Sequence, residues 1–168
     1  MKKDGKFETL FQEQLEDLYD AEKQLAGALP AMIAASSSPD LSGILESALE
    51  DAREQVSRLE ALFEGMAEEP GARQSRVMQA LLDEGQRFID ELEKSTVLDA
   101  ALIATVQKVK HHEIAGYATA CGLAEMLGQQ EAFGLLQETL EEETQSGEEL
   151  ADLYEAILTG DIASKGGA

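Results

Sequence analysis

Three glutamates stand where a carboxylate is costly. Leu102, Val106, Val109, Glu113, Tyr117, Ala120, Ala124 and Leu127 fall on one stripe of a helix at about 3.6 residues per turn. Phe7, Phe11, Leu15, Leu18, Glu22, Leu25 and Leu29 make a second stripe. Phe133, Leu136, Leu140, Glu143, Gly147, Leu150 and Tyr154 make a third. Each holds one carboxylate at its centre, and a buried carboxylate demands a counter-charge, a metal or a proton. A fourth stripe, Leu45, Leu49, Ala52, Val56, Leu59 and Phe63, has no central acid, but Asp51 and Gln55 flank it. Iron or manganese bridged by carboxylates is the known way to gather such groups inside helices. The opposing reading keeps the acids protonated, wet, or paired with Lys110 or Arg58. The Glu-x-x-His repeat usual in di-metal bundles is absent: Ser146 follows Glu143 at that spacing, and Glu54 follows Asp51.

Neighbouring groups have lesser claims. His112 lies about a quarter-turn from Glu113 and His111 nearly opposite the stripe, so either reaches only the edge of a site. Tyr19 and Tyr117 lie near the level of the acids, where a tyrosine packs with its hydroxyl satisfied or relays electrons beside a metal. Cys121 reads as an inert core thiol, and Glu84 as a solvated acid.

These residues must be positioned by helices. Ala, Leu, Glu and Gln dominate, there is no Trp, and aromatics make up 5% of the chain. That composition predicts an all-α protein. Helix 1 is expected from about Phe7 to Ala35, with Pro30 able to kink or end it. Ser38, Pro39 and Asp40 start the next helix as N-cap, first residue and dipole partner; it should run to about Ala67. A shorter helix, about Arg73 to Lys94, should turn Val77, Leu81, Phe88 and Leu92 inward. Thr96 and Asp99 resemble a capping box for helix 4, Leu98 to Leu127, which Gly128 should terminate. Helix 5 should run from about Gln130 to Leu158 and end at Thr159-Gly160. Met1–Lys6 and Ser164–Ala168 are expected to be loose, leaving about residues 7–158 ordered within one domain spanning 1–168.

Two long hairpins joined by a connection with a short helix describe a ferritin-like four-helix bundle with a fifth helix in the crossover. Glu113 and Glu143 are equidistant from Gly128, and the Asp51–Gln55 segment mirrors Glu22 about the Ser36–Pro39 turn. The three glutamates should therefore meet at mid-bundle, with Asp51 or Gln55 completing the ring.

The formal charge of −21 argues against non-specific binding to nucleic acid or an anionic membrane. No apolar run approaches membrane-spanning length, and the start shows no signal-peptide pattern. The single cysteine rules out an internal disulfide framework and fits a reducing compartment.

Four segments resemble a known family. Tyr19-Asp20-Ala21-Glu22-Lys23-Gln24-Leu25, Asp99-Ala100-Ala101-Leu102-Ile103-Ala104, His111 through Tyr117, and Leu136 through Glu143 look like the YciF-like bacterial stress proteins. The likeness covers about residues 7–157. It implies a ferritin-like, rubrerythrin-type bundle, cytoplasmic and often dimeric, linked to general, osmotic or oxidative stress. It also implies a di-metal site of iron or manganese with Glu22, Asp51, Glu113 and Glu143 as ligands, and with it O₂ or peroxide reduction. The other function in view is a non-catalytic homodimer acting as an interaction module around a salt-bridged, vacant site. The chain departs from the family pattern at Lys110, where Glu is common, at His112, where Tyr is common, and at Ala48, where His is common. The first change sets an ammonium near the proposed site.

Overall fold

The computed structural model describes residues 3–165, with side chains described over residues 5–160. Those residues form five α-helices and no strand: α1 (Lys3–Ala35), α2 (Pro39–Gly65), α3 (Arg76–Glu91), α4 (Thr96–Met126) and α5 (Gln130–Lys165). The all-α expectation holds. Hairpins α1–α2 and α4–α5 pack together through α1 against α4 and α2 against α5, and α3 lies on α1 and α4.

The turns are set by local chemistry. Ser38 caps α2, its hydroxyl accepting from the Leu41 N–H at 3.3 Å, with Pro39 and Asp40 in the first turn. Gly128 takes φ +73° after α4, and its N–H donates to Glu125 O while that of Gln129 donates to Ala124 O. This is the paired C-terminal closure that favours glycine. The same closure ends α2, but there Ala67 holds the left-handed position at φ 55°.

Several boundaries differ from expectation. α1 begins at Lys3, and the Thr9 hydroxyl donates to Gly5 O within it. Helix α5 passes Thr159-Gly160, with the Thr159 hydroxyl donating to Glu155 O at 2.8 Å. Ser164 and Lys165 are helical; residues 1–2 and 166–168 of the two expected loose ends lie outside the described residues. α1 continues through Pro30.

The cap of α4 is Ser95, one residue before the expected box, and its hydroxyl accepts from Leu98 N–H. Asp99 instead reaches the α1–α2 turn, accepting from the Ser37 N–H at 2.8 Å and the Ser37 hydroxyl at 2.5 Å. α3 is shorter than expected and rotated. Met78, Leu82 and Gly85 are buried, and the expected Leu81, Phe88 and Leu92 pack partly buried against the core, whereas Val77 is 55% exposed. The cause is close approach: a Cβ on Gly85 would come within 2.8 Å of Met32 Cε and 3.0 Å of Thr105 Cγ2. Only a glycine lets α3 sit this near α1 and α4.

The buried apolar side chains form two blocks. One holds Leu25, Leu29, Met32, Leu41, Leu45, Leu102, Val106 and Val109. The other holds Phe11, Leu15, Leu18, Leu59, Phe63, Tyr117, Ala120 and Leu136. In sequence, the boundary between the blocks falls at Glu22 on α1, Gln55 on α2, Glu113 on α4 and Glu143 on α5. A polar layer thus separates the two halves of the core.

Candidate functional site

Each side chain of that layer reaches it by helical register. Glu22 follows Leu15 and Leu18 on the buried face of α1 and precedes Leu25 and Leu29. On α4, Val109, Glu113, Tyr117 and Ala120 continue one buried line. Gly116 lets α4 approach α1 here, since a Cβ would meet Leu18 Cδ2 at 2.8 Å. On α2, beside Phe63, the buried residues are Leu41, Leu45, Ala48, Ala52, Gln55, Leu59 and Leu62. These alternate by fours and threes, which brings Gln55 to the centre of the face.

Glu22, Glu113 and Glu143 are each at most 1% exposed, as are Gln55, Lys110 and Tyr117. The Lys110 ammonium donates to Glu143 Oε2 at 2.6 Å and stands 3.4 Å from Glu113 Oε2. Gln55 Nε2 donates to the other oxygen of Glu143 at 2.7 Å. The Tyr117 hydroxyl donates to Glu22 Oε1 at 2.8 Å. Glu22 Oε2, Gln55 Oε1 and both oxygens of Glu113 have no donor from the surrounding side chains or backbone.

Charge decides how such a layer is tolerated. Three carboxylates face one ammonium, so ionising all of them would leave two negative charges in a dry interior. Burial, followed by the charge of Glu22, pushes Glu113 well above the ordinary carboxyl range. Glu113 therefore keeps its proton. That proton gives Glu113 one donor to offer Glu143 or Glu22, where two bare carboxylates would only repel. Burial, then the Glu143 charge, raises Glu22 to about 8, against the opposing pull of Lys110 and the Tyr117 hydrogen bond. For Glu143 burial works upward too, but the Lys110 charge and hydrogen bonds from Glu113, Lys110 and Gln55 outweigh it, so it lies below its ordinary value. Burial opposes the Lys110 charge, yet Glu113 and Glu143 hold its pKa above the ordinary lysine value. Burial and the charge of Glu22 raise Tyr117 strongly.

The other residues singled out in the sequence lie apart. Asp51 is half-buried and lines a recess between α2 and α5 with Ser47, Glu142, Ser146 and Glu149. Burial raises its carboxyl, and Lys110 draws it back. Gln55, not Asp51, completes the ring. Arg58 clasps Glu142 through both terminal nitrogens, at 2.7 and 2.8 Å, and also holds Glu54 and Thr139, so it leaves the three central acids to Lys110. Tyr19 lies outside the layer: its hydroxyl donates to Glu60 and its ring packs edge-on to Phe63. His111 is exposed, while His112 is half-buried with Nε2 unpartnered. Cys121 is buried and free.

This donor set does not fit a di-metal centre as it stands. The ammonium already occupies the place between Glu143 and Glu113 where a cation would neutralise them. Among the described residues no group of three or more His, Cys, Asp and Glu side chains is arranged to hold a metal. Nor is any described helix long and apolar enough to cross a membrane.

The chain is similar to proteins of known structure. Protein YciF of Escherichia coli (strain K12) is 42% identical over 147 residues, covering 87% of this chain and 89% of the relative. The crystal structure of the E. coli stress protein YciF superposes with a TM-score of 0.88 at 39% identity, covering 95% of this chain and 99% of that one. YcfI of Rhodopseudomonas palustris, described as a candidate structural protein, gives a TM-score of 0.83 at 36% identity, over 86% and 92% of the two chains. Residues 6–163 match the model of a domain of unknown function, DUF892, and the chain belongs to that family.

Proposed function

We propose that this protein is a cytoplasmic, stress-associated structural or interaction protein, a ferritin-like four-helix bundle that works as a homodimer. Its central carboxylates are closed by an ammonium and by protons instead of serving redox chemistry. One observation carries this reading: Lys110, 1% exposed, bonds Glu143 at 2.6 Å and approaches Glu113 at 3.4 Å. The ammonium does the neutralising work that a metal does in a carboxylate bundle. The stress association comes from the likeness to the E. coli stress protein, and the structural role from the likeness to the R. palustris protein. A charge of −21 repels a second copy at long range, so the dimer interface should be apolar and locally poor in charge.

The experiment is elemental analysis of protein purified without chelator or affinity metal, with light scattering on the same sample. Metal far below one ion per chain and a dimer mass are expected. Stoichiometric iron or manganese would replace this reading with the metal-centred one, and a monomer mass at micromolar protein would remove the dimer. The metal-centred reading keeps Glu22, Asp51, Glu113 and Glu143 as ligands, and the donorless oxygens of Glu22 and Glu113 are its support.

A further inference from the structure

We infer that Lys110 is the residue that keeps divalent metal out of this bundle, a tethered cation in the position of an ion. Neutralising it should turn the polar layer into a site for a hard divalent cation. The inference rests on the reading that the native layer is metal-free and adds the residue responsible.

The layer is rich in acceptors and poor in donors. Six carboxylate oxygens from three helices and the Gln55 amide oxygen converge on it. Opposite them stand the Lys110 ammonium, the Tyr117 hydroxyl, the Gln55 amide nitrogen and the protons that the acids retain. Glu22 Oε2, Gln55 Oε1 and both Glu113 oxygens remain without a donor even with the ammonium in place. These atoms are the second observation: they are fully buried oxygens served only by the protons that the acids retain, which a divalent cation would displace.

The ammonium comes from within the layer's own helix. Lys110 lies one turn before Glu113 and spans to Glu143 on α5, so its side chain crosses the place where the two carboxylates meet. Facing its stem on α5 is Gly147, whose added Cβ would lie 3.8 Å from Lys110 Cβ. That is an ordinary packing distance, so α5 lies directly against the lysine stem. An all-oxygen set without histidine or thiolate suits Mn²⁺ or Mg²⁺ better than softer ions. A metal entering the native protein would have to share two carboxylates with a fixed positive charge, in a medium that screens poorly.

The test compares the full-length protein with Lys110→Met and Lys110→Gln, using Mn²⁺ alone as probe. Uptake is read by the loss of the free Mn²⁺ paramagnetic resonance signal, and stability by the melting temperature. Wild type should take up no stoichiometric Mn²⁺ and show no specific rise in melting temperature. The variants should gain stoichiometric uptake and a melting temperature that climbs with Mn²⁺. Adding Glu143→Gln to either variant should abolish the gain, which separates the layer from the acidic surface. A variant unfolded without metal but folded with Mn²⁺ supports the inference equally. A folded variant that ignores Mn²⁺, or one that stays unfolded with and without it, overturns the inference while wild type remains metal-free. Stoichiometric uptake by wild type overturns the metal-free reading itself.

Discussion

Glu22→Gln should change how stability depends on pH, and the sign follows from the layer's geometry. Burial and the Glu143 charge raise the Glu22 carboxyl from an ordinary value of 4.5 to about 8. A raised acid holds its proton longer in the folded chain than in the unfolded one. Its contribution to stability is complete below pH 4.5 and is lost as the pH climbs toward 8. One such group gives a slope of at most about 1.4 kcal/mol per pH unit. Across the roughly three units from pH 5 to pH 8 the loss reaches on the order of 4 kcal/mol. That is a large fraction of the roughly 5–15 kcal/mol that holds a domain together. Glutamine keeps the length of the side chain and an oxygen for the Tyr117 hydroxyl, but it does not titrate. The variant should therefore lose less stability with rising pH and exceed wild type at pH 8. Urea denaturation at a series of pH values reads the difference directly. Surface repulsion in this −21 chain also weakens stability as pH rises, but it acts nearly equally in both proteins and cancels in the comparison. Parallel stability curves between pH 5 and pH 8 would refute the assignment of a retained proton to Glu22.

Two further substitutions probe the frame around the layer. Ala67→Gly relieves the left-handed backbone at φ 55° and should raise stability by about 0.5–1 kcal/mol by urea midpoint, with an unchanged or lower value sinking the closure described for α2. Gly116→Ala would drive a methyl to 2.8 Å from the fully buried Leu18, so a loss of about 1–3 kcal/mol is expected, and a neutral result would mean that α1 and α4 are not held this closely.

Much of this arrangement can be read from residue periodicity. Glu22, Glu113 and Glu143 interrupt their stripes so cleanly that simple mirror counting about the turns brings them to one depth. α2 misleads because Leu49 and Val56 pull the apparent stripe one residue round, whereas the packed face follows Ala48, Ala52 and Gln55. Small alanines mark a close helix contact better than large residues do, and following them would have placed Gln55 inside and Asp51 at the rim. Lys110 was visible as a pairing partner by its spacing from Glu113, but its bond to Glu143 depends on how α5 faces α4. The rotation of α3 hangs on Gly85 meeting Met32 and Thr105, and Asp99 leaves its own helix for Ser37. Those are contacts between segments far apart in the chain, which no local pattern encodes.

The polar layer also acts as an index mark for assembly. Leucine-lined helices can slide past one another by a turn at modest cost, because one apolar contact resembles the next. Here each long helix contributes a polar member at one level: Glu22 from α1, Gln55 from α2, Lys110 and Glu113 from α4, and Glu143 from α5. Slipping any one helix would bury an ammonium, a carboxylate or the Gln55 amide against hydrocarbon, so only one alignment satisfies all four. Such a mark forms only after both hairpins have closed and docked. Substitutions in the layer should therefore speed unfolding more than they slow folding, and a chevron in which the folding arm shifts instead would contradict this order of events.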